Sequence, residues 1–288
     1  MDLRWLLVLS FLLLAQSHGA KILGLFPFPA RSHLIVQKAL MVELAKRGHQ
    51  VTILTHFLEK EPVPNLTEIY LETDFKRLEG GDKGDVPKNL FDMSKIGIFE
   101  MTMMMLMMGK PLCEKVLEEE SVQRLIHEEN LHFDLVVIEA FVNECMLGFA
   151  HKFNATVIQV CPYGGSQFMA DWVGSPNPYS YVPDELLNFR DKMSFSERLI
   201  NSVVGALRQI GRYTIHLPAQ DEAIRKYFNT SEPIPYITEL EKRTALVLLN
   251  FTFFNQLSKA IVSKLCASWR NAHKTTKETS CGSPKVPG

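Results

Sequence analysis

Residues Lys21 to Thr55 allow few folds. An apolar run from Ile22 to Phe26 ends at Pro27 and Pro29, which lack the N–H that a strand ladder requires, so a strand stops there and a loop begins. Ser32 stands where a helix cap would. Val36, Leu40 and Leu44 follow at steps of four, with Ile35, Ala39 and Val42 beside them, which is the pattern of a helix apolar on most faces. Gly48 ends that helix, and Val51 to Leu54 reads as a second buried strand. Strand, loop, helix, strand is the βαβ unit that opens a doubly wound α/β domain. His33 lies in the turn into the helix, outside the C-terminal end of the first strand. Open parallel sheets bind ligands along that edge, which makes an imidazole there a candidate base.

The alternation continues downstream. Thr67 to Leu71, Phe133 to Glu139, Thr156 to Val160 and Leu246 to Asn250 read as strands. Val116 to Asn130, Asn143 to Lys152 and Ser194 to Phe228 read as the helices between them, with Pro233 and Pro235 closing the last. Glu79 to Lys88, with its three glycines, reads as linker, and the Gly- and Pro-rich stretch from Cys161 to Asp184 as a functional surface loop. Ile96 to Met108 carries six of the twelve methionines. Thioether side chains adapt their shape, so this stretch is either a loosely specified core helix or the lining of a binding pocket.

Composition narrows the setting. Arg4, the apolar run from Trp5 to Ala15 and the small residues of Ser17 to Ala20 make residues 1–20 a signal peptide, which places the mature chain in the secretory pathway. No later stretch approaches the roughly 18 apolar residues of a membrane helix, so no anchor is expected in this chain. With 31 basic and 32 acidic residues the net charge is −1, which offers no field for nucleic acid. Cys113, Cys145, Cys161, Cys266 and Cys281 form no CxxC pair, so no metal site is encoded. Cys145 and Cys161 lie in apolar surroundings and read as buried thiols, while Cys266 and Cys281 are the candidates for a disulfide. Asn65, Asn154 and Asn229 head glycosylation sequons, with Asn65 best placed. Asn250 heads a fourth, but its place at the end of an apolar strand predicts burial.

The residues Gly24-Leu25-Phe26-Pro27, Ser32-His33 and Leu44 to Thr52 resemble the N-terminal half of the animal UDP-glycosyltransferases, the UDP-glucuronosyltransferase family, and above all its insect members. The resemblance covers Lys21 to Phe254. It implies a Rossmann-like parallel sheet, the acceptor-binding N-terminal domain of a two-domain GT-B fold. The implied reaction transfers a hexose from a UDP-sugar to a hydroxyl of a small lipophilic acceptor, with no further cofactor. The family's second domain carries the UDP-binding motifs, which are not found here, and residues 255–288 read as a polar, disordered tail. Two readings therefore stand: a detoxifying transferase of the endoplasmic reticulum, or an acceptor-binding form that associates with itself or with longer relatives and transfers nothing. A nucleotide-binding oxidoreductase is disfavoured, because no Gly-x-Gly-x-x-Gly follows the first strand.

The resemblance also assigns roles. His33 matches the residue that deprotonates the acceptor hydroxyl, and Glu139 aligns with the family's orienting Asp. Glu144 is the rival partner. Met101, Met104, Met105 and Met108 fall in the region that lines the family's acceptor pocket. Asp134, at the opposite end of its strand, and His49, beyond a helix C-terminus, read as structural, and His151 and His216 carry no motif.

Overall fold

The computed structural model describes residues 19–72, 96–190, 192–228, 230 and 232–250. The calls on residues 1–18, on the 79–88 linker, on Asn229, on Cys266 and Cys281 and on the 255–288 tail lie outside them. The first unit is β1 (Lys21–Leu25), α1 (Arg31–Lys46) and β2 (Gln50–Thr55), followed by β3 (Leu66–Tyr70). Next come α2 (Ile98–Glu118), α3 (Glu120–His127) and β4 (Leu135–Glu139). A 3-10 turn (Glu144–Met146), α4 (Leu147–Phe153), β5 (Thr156–Cys161) and a short α5 (Met169–Trp172) follow. The rest is α6 (Phe195–Gly211), a π-helical stretch (Arg212–His216), α7 (Leu217–Tyr227), α8 (Ile237–Glu241) and β6 (Thr244–Leu249).

The six strands form one parallel sheet in the order β3-β2-β1-β4-β5-β6. Alternate residues bury against opposite layers, as strands covered on both faces must. Ile22, Val51, Ile53, Val137 and Val160 pack with Leu34, Met41 and Ala45 of α1. Leu23, Leu25, Leu54, Val136 and Ile138 pack with the apolar faces of α2, α3, α4, α7 and α8. Gly24 sets how closely α1 seats, since a Cβ there would lie 2.8 Å from both Met41 and Phe26.

Several expectations need correction. Ser32 does not cap α1: Ala30 holds the N-cap position and makes no side-chain bond, while Ser32 is inside the first turn. The methionine stretch opens a helix of 21 residues that tolerates Pro111, and the helix expected from Val116 shrinks to Glu120–His127. The third and last strands each begin earlier than expected. Asn250 is exposed, with its amide Nδ2 donating to the Pro162 carbonyl at 3.2 Å. The capping of α6 by Ser194 matches its sequence signature, with Glu197 returning a bond to the Ser194 N–H at 2.7 Å.

Cys145 is not a free thiol. It forms a disulfide with Cys113, tying α2 to the turn that follows β4. Cys161 stays free and buried, its thiol pushed up to about 12 by burial. The bridge closes a loop with a sequence separation of 32, for which chain entropy predicts a stabilisation of about 3–4 kcal/mol. Reduction, or a Cys113→Ser/Cys145→Ser variant, should therefore lower the melting midpoint by roughly 10 °C, as read by calorimetry with and without reductant.

Candidate functional site

The sheet order reverses between β1 and β4, which pair in register from Ile22↔Leu135 to Leu25↔Ile138. Loops leaving these two strands diverge to opposite layers and open a crevice at their C-terminal ends. His33 enters this crevice from the first turn of α1, and Glu139 from the last residue of β4. His33 Nδ1 and Glu139 Oε1 are 2.7 Å apart, with Glu139 fully buried and the imidazole 19% exposed. An ionised carboxylate can only accept from this nitrogen, which puts a proton on Nδ1 and leaves Nε2 as the lone-pair nitrogen of the neutral ring. Nε2 makes no hydrogen bond among the described residues. Glu139 Oε2 is likewise buried without a partner among them.

Aromatic rings hold the imidazole in place. Phe28 and Phe141 lie 4.6 and 4.7 Å from it, centroid to centroid, and 4.6 Å from each other. Both come from loops at the same sheet edge, before α1 and after β4. The turn after β4 is strained: Val142 has φ of 47°, a left-handed conformation that a branched residue rarely adopts. Gln220 of α7 steadies it from a fully buried position, donating to the Val142 carbonyl at 3.2 Å and accepting from the Cys145 N–H at 2.9 Å. Gly109 makes room for this contact, because a Cβ on α2 would fall 2.5 Å from the Val142 carbonyl oxygen.

The other expected site residues separate. Glu144 does not reach His33. It meets His216 Nε2 at 2.7 Å and Arg212 Nη2 at 3.0 Å, and Arg212 also donates to Glu241. Burial would raise the Glu144 carboxyl, but His216 and Arg212 outweigh it and hold it at about 2. His216 is raised: burial opposes its charge, and the Glu144 carboxylate more than offsets that. Asp134 stays at the far end of the sheet, accepting from the Lys21 N–H at 2.8 Å, and His49 Nδ1 accepts from the Ala20 N–H at 3.0 Å. Both are structural contacts. Asn65 and Asn154 are exposed, each with positive φ.

A cleft of about 520 Å³, including its open mouth, lies beside this cluster. It is lined from α2 by Thr102, Met105 and Leu106, from the β4 turn by Val142, and from the β5 loop by Gln167, Phe168 and Tyr179. Of the four methionines expected in a pocket, Met105 lines the cleft, while Met101, Met104 and Met108 are half-buried elsewhere on α2. His33 stands outside the lining and meets it through Phe141, the neighbour of Val142. Sequence reasoning passed over Arg212 and His216. Their spacing of four puts them on one helical face, a legible sign of joint action, but Glu144, their shared partner, is 68 residues from Arg212. Among the described residues no group of His, Cys, Asp and Glu could hold a metal ion, and no helix is long and apolar enough to cross a membrane.

A Rossmann-order sheet with a histidine paired to a buried carboxylate at its switch point defines a class of protein, a doubly wound α/β domain. Residues 21–224 match the family model described as UDP-glucoronosyl and UDP-glucosyl transferase, and the chain belongs to that family. Among curated relatives it is 30% identical to UDP-glucosyltransferase 2 of Dactylopius coccus, over 88% of this chain and 48% of that protein. It is 28% identical to the ecdysteroid UDP-glucosyltransferase of Autographa californica nuclear polyhedrosis virus, over 85% of this chain and 47% of the other. The chain thus spans about half the length of the curated relatives it matches. The solved structure of the calicheamicin glycosyltransferase CalG4 aligns with 84% of this chain and 55% of its own at a TM-score of 0.39 and 13% identity, a likeness that decides nothing.

The buried cluster has a measurable pH signature. The fold binds the His216 proton more tightly than the unfolded chain does, so this contribution to stability is complete below about pH 6.5 and is lost as pH rises through the raised value. Glu144 contributes in the opposite sense, fully above about pH 4.3 and lost as pH falls toward its lowered value. Urea midpoints measured from about pH 6 to about pH 9 should fall more for the wild type than for a His216→Gln variant.

Proposed function

We propose that this domain is the acceptor half of a UDP-glycosyltransferase, with His33 as the base and Glu139 as its orienting partner. The observation that carries this is the 2.7 Å His33–Glu139 contact at the switch point, which leaves Nε2 without a hydrogen bond among the described residues, beside the Phe28 and Phe141 rings. An acceptor hydroxyl placed on Nε2 loses its proton to the imidazole as its oxygen attacks the anomeric carbon of the sugar. The bond from that carbon to the UDP oxygen breaks, and UDP leaves with the bonding pair. The Glu139 carboxylate balances the imidazolium that forms, and its buried charge has no other partner among the described residues. Extending the side chain by one methylene relative to Asp is compatible with this contact.

The acceptor is proposed to be a small lipophilic hydroxyl compound, since Met105, Leu106, Val142 and Phe168 supply most of the cleft's apolar wall. Its Met101, Met104 and Met108 neighbours on α2 are proposed to complete that wall when ligand is bound. The UDP-sugar belongs to the whole enzyme, as does association with a second copy or a longer relative. The Cys113–Cys145 disulfide supports an oxidising, secretory compartment, in which Asn65 and Asn154 are exposed for glycosylation.

Transfer from UDP-glucose or UDP-glucuronic acid to a phenol, by a preparation that carries it out, tests the reading. His33→Ala should lower kcat about 10²–10⁴-fold, while Glu139→Gln should lower it less and leave KM for the phenol unchanged. A His33→Ala enzyme with undiminished kcat sinks the assignment. Phenol binding without transfer by the 288-residue chain would favour the second reading, an acceptor-binding form.

A further inference from the structure

Every charged side chain lining the cleft already has an opposite charge at hydrogen-bonding distance. Arg212 lies between Glu144 and Glu241, His216 sits on the second oxygen of Glu144, and Arg208 bridges Asp184 and Glu185. An anionic or cationic ligand entering the cleft would find no unpaired countercharge, and its own desolvation would be uncompensated.

The neutral polar groups are in the opposite condition. The Tyr179 and Thr102 hydroxyls make no hydrogen bond among the described residues, and Gln167 uses only its amide nitrogen, which donates to the Val182 carbonyl at 3.0 Å. Tyr179 and Gln167 converge on Gly205 of α6, where a Cβ would come within 2.8 Å of the Tyr179 ring and 2.9 Å of Gln167 Oε1. Gly205 therefore lets both side chains seat closely against α6, and the cleft that they line with Thr102 carries an unused carbonyl oxygen and two unused hydroxyls on its wall.

We propose that this side of the cleft is a polar subsite selecting acceptors that are uncharged and carry a second hydroxyl, donating to Gln167 Oε1 and accepting from Tyr179 or Thr102, apart from the hydroxyl that meets His33. The inference rests on the acceptor-site reading above and adds to it the class of molecule preferred. The cleft is also lined by Met105, Leu106, Val142 and Phe168, so the preferred acceptor is a lipophilic body with a neutral hydroxyl at each end. A site that hydrogen-bonds a ligand hydroxyl disfavours an analogue lacking it, because its own polar groups then lose water without gaining a partner.

Titration calorimetry on the full 288-residue chain separates the possibilities with three probes: 4-phenylphenol, 4,4′-biphenol and 4′-hydroxybiphenyl-4-carboxylate. The diol should bind about tenfold tighter than the monophenol, equivalent to roughly 1.4 kcal/mol, and the carboxylate weakest. A Thr102→Val/Tyr179→Phe variant removes two hydroxyls that bond nothing among the described residues, so its ratio of diol to monophenol affinity should fall to about one. Equal wild-type affinities for diol and monophenol overturn the subsite while leaving the acceptor reading intact. So does a preference that survives in the variant, or a carboxylate that binds tightest. Failure of all three probes to bind overturns both.

Discussion

The parallel pairing of β1 with β4 is the contact on which the rest depends. These strands are far apart in the chain, with β2, β3, α1, α2 and α3 between them. Once they pair, the loop after β1 and the end of β4 have a fixed separation set by the ladder spacing. That spacing brings a histidine on one loop to 2.7 Å from a carboxylate on the other. A slip of one residue in β4 would turn Glu139 to the other sheet face and end the contact.

Holding the pair open to a ligand requires a second set of constraints, concentrated on the turn after β4. Val142 takes a backbone conformation that its side chain disfavours, and three independent features hold it there. The disulfide pins Cys145 three residues away, Gln220 bonds both Val142 and Cys145, and Gly109 lets α2 close over the turn. Strain of this kind persists only where surrounding structure over-determines it. The same turn carries Phe141 against His33 on one side and Val142 into the cleft on the other, so one short segment joins His33 to the cleft.

The buried cluster of Arg212, His216, Glu144 and Glu241 performs a different task from the dyad. Its charges satisfy one another, so it fastens α6 and α7 to the β4 turn and keeps the cleft electrically quiet. The π-helical stretch that carries Arg212 and His216 lets both reach Glu144 from one face, the sort of irregularity a helix retains where its side chains must converge. Glu144 and Glu139 are five residues apart and both carboxylates, yet one joins the buried cluster with Arg212 and His216 and the other pairs with His33.

Much of this was legible in the residues alone. Proline after an apolar run, a glycine closing a helix and β-branched runs at regular intervals are local events, and they determined the alternation of strands and helices, the parallel class of the sheet and the edge on which His33 and Glu139 would stand. What local pattern could not supply was contact between residues far apart in the chain. The Cys113–Cys145 bridge has no spacing signature, and the apolar surroundings that made Cys145 look like a core thiol also surround a buried disulfide. Ser32 resembled a cap, but the start of α1 is set by where the Pro27–Pro29 loop meets the sheet. Sequence favoured Glu139 over Glu144 as the partner of His33, but only the strand end and the 3-10 turn fixed their directions. Local sequence determined which elements form, because capping, turns and periodicity act over a few residues. Only the tertiary structure decided which side chains meet, because strand order and helix packing set distances that no sequence interval records.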